Sequence, residues 1–165
     1  MDQDLVLQKM IAFDRGDARR IQHFLKVYAF ASLIGTMEHL PAREQDILET
    51  AAILHDIGIH PAEEKYGRQN GKLQEQEGPA PARQLLQETG QFPADYIDRV
   101  CFLIGHHHTY DHVDGRDWQI LLEADFLVNA YEDGLPEQAI RTFRDKVFRT
   151  RSGIALLNTQ FGLDG

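Results

Sequence analysis

Between Pro41 and Gly58 the chain carries an apolar helical run closed by an adjacent histidine and aspartate. Ile47, Leu48, Ala51, Ala52 and His55 recur at three- and four-residue spacing, the period of one helical face. This places His55 on the stripe that should face a core, with Asp56 beside it. Unpaired burial of such groups costs roughly 2–7 kcal/mol. A fold that contains this run must therefore supply partners for both, and a divalent cation would satisfy them together.

The same period governs the rest of the 165 residues, and no segment alternates apolar and polar residues as a half-buried strand would. The expected fold is all-α, a single compact helical domain spanning residues 1–165, with about seven helices. Leu5 to Phe13 forms a short amphipathic element, and Asp17 is placed to cap a second helix over Ala18–Glu38. A third helix opens at Pro41 and is expected to run to Ile57 and end at Gly58, read either as a C-cap that tolerates the left-handed conformation or as a residue whose missing β-carbon lets backbone and ligand approach the His-Asp pair. Ile59 to Pro81 is polar and glycine-punctuated, with Lys65, Arg68 and Lys72, and reads as a binding loop holding a short helical piece. Four further helices follow: Pro79–Glu88, one from Pro93 to Gly105, Trp118–Tyr131, and Pro136 to about Thr150. The last is basic on one face. The apolar segment Ile154–Phe161 suits a homodimer contact.

The net charge of −9 argues against general nucleic-acid or anionic-membrane binding. It does not argue against a small phosphorylated ligand, because a metal and a few local cations can reverse the sign inside one site. No apolar stretch approaches the roughly 18 residues needed to cross a bilayer, and Met1-Asp2-Gln3-Asp4 lacks a secretory pattern. The single cysteine, Cys101, allows no intrachain disulfide and points to a reducing, cytoplasmic setting.

Asp125 is the second strong signal. It lies three and four residues from Leu121, Leu122, Val128 and Asn129, inside the apolar stripe of its helix, where a carboxylate needs a partner. Glu123 points elsewhere and is expected in solvent. His23 shares a stripe with Val27, Phe30 and Ile34. His23, His55, Asp56 and Asp125 thus form a set from three helices, and packed helices commonly converge such side chains on one metal. Two imidazoles and two carboxylates suit Mn²⁺, Fe²⁺, Co²⁺, Ni²⁺, Zn²⁺ or Mg²⁺. Adjacent helical residues diverge by about 100°, so the ion should sit at the seam between two helices. In His106-His107-His108, the stripes of the preceding helix bring His106 and His107 inward; His108 and His112 are expected to be peripheral.

The order His23, His55-Asp56, His106-His107, Asp125 resembles the HD-domain superfamily of metal-dependent phosphohydrolases, over nearly the whole chain. The resemblance implies an all-α fold, a metal held by His23, His55, Asp56 and Asp125, and hydrolysis of phosphomonoesters, nucleoside phosphates or cyclic diesters. It also implies that His106 and His107 bind a second metal or the substrate phosphate. Many members carry a lysine after the glycine of this motif, where this chain reads Asp56-Ile57-Gly58-Ile59-His60. Lys65 or His60 could take that role. Glu77 matches a recurring acidic position.

The leading expectation is metal-assisted hydrolysis of a small phosphorylated substrate. Asp56 would ligate and steer the water, His106 or His107 would stabilise the phosphoryl group or protonate the leaving oxygen, and Lys65 would neutralise phosphate. The alternatives are a metal-dependent receptor for a phosphorylated small molecule, using the same residues, and a docking role for the basic seventh helix.

Overall fold

The computed structural model describes residues 2–164, and among them all regular structure is helical. The elements are α1 (Gln3–Phe13), α2 (Ala18–Met37), α3 (Ala42–Leu54), α4 (Ile59–Tyr66), α5 (Gly71–Glu77), α6 (Pro79–Thr89), α7 (Ala94–Ile104), α8 (Arg116–Glu132), α9 (Glu137–Val147) and α10 (Arg151–Phe161). Local chemistry sets their starts. The side chains of Asp2, Asp17, Asn70 and Thr150 accept from backbone amides three residues on, each such cap stabilising by about 1 kcal/mol. Helices α3, α7 and α9 follow Pro41, Pro93 and Pro136, held extended.

α2 packs chiefly against α3 and α8, and α3 also meets α7. α8 lies at the centre. From Ile120 to Val128 it is buried without interruption, so any charged residue on it is carried into the interior. Phe24, Leu48, Leu54, Ile57 and Leu103 are fully buried around it. Each such side chain contributes about 1.5–3 kcal/mol relative to exposure.

Among the described residues ten helices replace the expected seven, and the physical reasons are local. The segment after Gly58 is two short helices, α4 and α5, rather than a loop. Glu77 pairs with Lys65 at 2.8 Å and joins them. The expected seventh helix stops at Val147. Phe148 and Thr150 are extended, and α10 then starts afresh.

Glu123 causes that break, and it is fully buried where solvent was expected. Its carboxylate accepts from the Arg149 and Thr150 amides at 2.8 and 3.0 Å and from the Thr150 hydroxyl at 2.5 Å. Gly153 is required opposite, because a β-carbon there would lie 1.9 Å from Glu123 Oε1. The apolar residues of α10 pack within this chain, with Leu157 fully buried. Much of the basic face is also spent internally: Arg141 pairs with Glu137, and Arg144 bonds Asp145 and Asn158. No helix among the described residues is long and apolar enough to cross a membrane.

Candidate metal centre

α3 ends at Leu54, one turn earlier than its apolar period suggests. His55 to Gly58 form a tight turn, with Ile57 N bonded to Leu54 O and Ile59 N to Asp56 O, both at 3.0 Å. This turn, rather than a helical seam alone, lets adjacent residues converge. His55 Nε2 and Asp56 Oδ2 lie 3.4 Å apart.

Gly58 is not left-handed; its φ is −78°. Its role is close packing, since a β-carbon there would lie 2.6 Å from Gly78 N and 2.8 Å from Gln74 O. The metal-side turn therefore sits directly on the backbone at the end of α5.

His23 from α2 and Asp125 from α8 complete the cluster. His23 Nε2 is 3.1 Å from His55 Nε2, 3.2 Å from Asp56 Oδ2 and 3.3 Å from Asp125 Oδ1. The four donor atoms all lie within 4.8 Å of one another, and all four side chains are buried. The histidines are held from behind: His23 Nδ1 donates to Glu132 Oε1 and His55 Nδ1 to Ala52 O, each at 2.7 Å. Those bonds fix the ring orientation and turn both Nε2 atoms inward, as metal ligation needs.

The set fits a cation on a direct observation. Asp125 Oδ1 is buried and accepts no hydrogen bond, although two imidazole nitrogens stand 3.2 and 3.3 Å away. The carboxylate acts on those rings as a charge without satisfying its own lone pairs, which a cation would do. Burial favours neutral imidazoles, but the carboxylates of Asp125 and Asp56 outweigh it and raise His23 to about 9 and His55 to about 10. Burial likewise opposes ionisation of Asp56 and Asp125. His55 and the other histidines beside them overcome it and hold both below the usual carboxylate range. The pocket is built for a positive centre.

Asp56 also has partners beyond this set. Arg20, in the first turn of α2, reaches its Oδ2 at 3.0 Å, and His107 Nε2 reaches its Oδ1 at 3.0 Å. Asp56, His107 and His108 form a second donor group, again within 4.8 Å. The structure therefore brings His107 to the site.

His106 departs from expectation. α7 ends at Ile104, and the following turn rotates His106 onto Phe102, ring on ring at 4.0 Å, with Nδ1 bonded to Phe102 O. His108, expected at the periphery, takes the neighbouring place. It is oriented by Gln74 at 2.6 Å through Nε2 and by Glu75 through its backbone amide. Lys65 is committed to Glu77. His60 lies against Asp17 at 3.0 Å and Asp14 at 3.4 Å. The cation that meets Asp56 is Arg20, a residue with no signal in the sequence beyond its place just after a cap.

A family model described as HD domain matches residues 20–139, from Arg20 to one residue before the buried Ile140 of α9. The chain belongs to the HD-domain family. Neither a curated protein nor a solved structure matches it. HD domains are helical and make up a superfamily of metal-dependent phosphohydrolases, and this HD domain has His and Asp groups able to hold a divalent metal.

Proposed function

We propose that this HD-domain protein hydrolyses a small phosphorylated substrate, a nucleotide or other phosphate ester, with a divalent cation held by His23, His55, Asp56 and Asp125. The observation that carries this reading is the buried four-atom donor set with its unsatisfied Asp125 Oδ1. Such a cation supplies polarisation of a phosphoryl oxygen and a lowered water pKa. The donor set of two nitrogens and two oxygens suits Mn, Fe, Co, Ni, Zn or Mg.

The remaining tasks fall to this chain's own side chains. Arg20, 23% exposed and touching the Asp56 oxygen that also faces His23 and His55, presents a guanidinium fork that matches phosphate oxygens. His107, donating Nδ1–H to Ile104 O at 2.6 Å, offers Nε2 for proton exchange with the leaving oxygen. Asp56, His107 and His108 could hold a second ion, and His107 and His108 could contact the substrate phosphate. Glu75 and Gln74 keep His108 in place for either. The buried thiol of Cys101 is in keeping with a cytoplasmic protein, and the substrate is a small molecule rather than nucleic acid or membrane.

The test is elemental analysis of purified protein, followed by phosphate release from a panel of monoesters and diesters with each cation. His55→Ala and Asp56→Ala should lose both metal and turnover. An undiminished rate for either variant in metal-replete buffer would overturn the reading. Tight nucleotide binding with no release from any ester would instead favour a receptor.

A further inference from the structure

Next to the second donor group lies a cavity of about 710 Å³, lined by Lys72, Glu75, His108, Tyr110, Asp111 and Lys146 among others. His108 belongs to both, so the cavity adjoins the second donor group on its outer side. A second hollow of about 580 Å³ continues from it, sharing Tyr110, Lys146 and Val147 and adding Ala139, Thr142 and Phe143. The two make one groove whose chemistry changes along its length, ionic near His108 and apolar near Phe143.

At the ionic end, neither Lys72 nor Lys146 has a carboxylate within ion-pairing reach among the described residues, in a chain of net charge −9. The acids nearby are differently placed. Glu75 Oε2 already accepts from His108 N at 3.0 Å and Thr109 Oγ1 at 2.7 Å, and the Asp111 side chain is 79% exposed beside His112. At the apolar end, Phe143 stacks on Phe126 of the buried α8 at 3.8 Å. Tyr110 meets Phe143 edge-on at 5.4 Å. That wall is anchored to the core, yet Tyr110 keeps 45% of its surface open. Burial, with Asp125 and Glu75 nearby, pushes the Tyr110 hydroxyl up to about 12, so the ring stays an uncharged amphipathic surface.

We propose that this groove binds the organic portion of a phosphate ester whose body is apolar or aromatic, with Lys72 and Lys146 neutralising its phosphate. The proposal rests on the phosphohydrolase reading and names its substrate class: an aryl-like ester rather than a polyhydroxylated sugar phosphate. Ligand sites generally combine an apolar lining with a few placed polar groups, and this groove supplies both in order from His108 outward. Aromatic faces such as Tyr110 stack on planar bodies.

The experiment titrates the full-length, metal-loaded protein by calorimetry with two non-hydrolysable probes, 1-naphthylmethylphosphonate and methylphosphonate. The naphthyl probe should bind at least about tenfold tighter, roughly 1.4 kcal/mol. Lys72→Gln and Lys146→Gln should each weaken it several-fold. Ala139→Trp, which fills the apolar end, should remove the naphthyl preference; if that variant fails to fold, Val147→Asp on the same wall should do so. Equal affinity for the two probes, no binding of either, or a preference that survives these changes overturns the proposal. Phosphate release from naphthyl and methyl phosphates is assayed in parallel. Release without the preference leaves the hydrolase and removes the groove, whereas preference without release keeps the groove and removes the hydrolase.

Discussion

The Nε2 atoms of His23 and His55 face each other at 3.1 Å, each ring held from behind by an acceptor on Nδ1. With both Nδ1 atoms donating, the facing Nε2 atoms present lone pairs that repel, so the pair is comfortable only when something positive takes them. In the metal-free chain protons fill that role, because the carboxylates of Asp125 and Asp56 overcome burial and raise the rings to about 9 and about 10.

Loading with a divalent cation at pH 7 should therefore release at least one proton per ion. Calorimetry in buffers of different ionisation enthalpy measures this directly, and a buffer-independent heat would contradict it. The same shifts give the metal-free fold a pH dependence. Raised imidazole pKa values contribute stability that is complete below about 6.5 and fades as pH rises through 9 to 10. The melting temperature of chelator-treated protein should fall between pH 7 and pH 10, and the metal-loaded protein should not share that fall.

Asp125→Asn keeps the shape of the ligand and removes its charge. It should cost more metal affinity than Glu132→Gln, which alters only the group behind His23 and should cost roughly 10–100-fold. Competition with a chelating dye ranks the two, and the reverse order would argue against Asp125 as a ligand.

Gly58→Ala places a β-carbon 2.6 Å from the Gly78 amide nitrogen, a backbone atom that cannot swing aside. Overpacking of this kind should destabilise by about 2–3 kcal/mol and lower metal retention, since the same turn carries His55 and Asp56. Urea denaturation together with metal content tests it; a normal midpoint would show that α5 yields more easily than its geometry suggests.

Gly153→Ala strikes Glu123 Oε1 at 1.9 Å and should expel a buried carboxylate from its bonds to Arg149 and Thr150. Leaving such a group unsatisfied should cost about 2–4 kcal/mol, read as a lowered urea midpoint. A loss below about 0.5 kcal/mol would mean that the elbow between α9 and α10 does not depend on this contact.

What the sequence disclosed, it disclosed through periodicity. His23, His55 and Asp125 occupy apolar stripes, and a polar residue on a stripe announces that it needs a partner; the all-α architecture follows from the same 3.6-residue repeat. Periodicity fails where the helix stops. Extending α7 past Ile104 turns His106 inward, but the turn there reassigns the three histidines, so His107 and His108 reach the site. Glu123 misled for the opposite reason: its partners are amides 26 and 27 residues away, which no local pattern records. Arg20 is in the same position, as its link to Asp56 spans 36 residues.

Because Gly58 and Gly78 meet backbone to backbone, α5 rests against the ligand-bearing turn through main chain and not through the side chains of its outer face. The outward residues of α5, Lys72 and Gln76 among them, are thereby released from any duty to the cation. Mutational drift or design can rewrite that surface while the ligands keep their register. Holding the metal and choosing its client are separately adjustable traits of this chain.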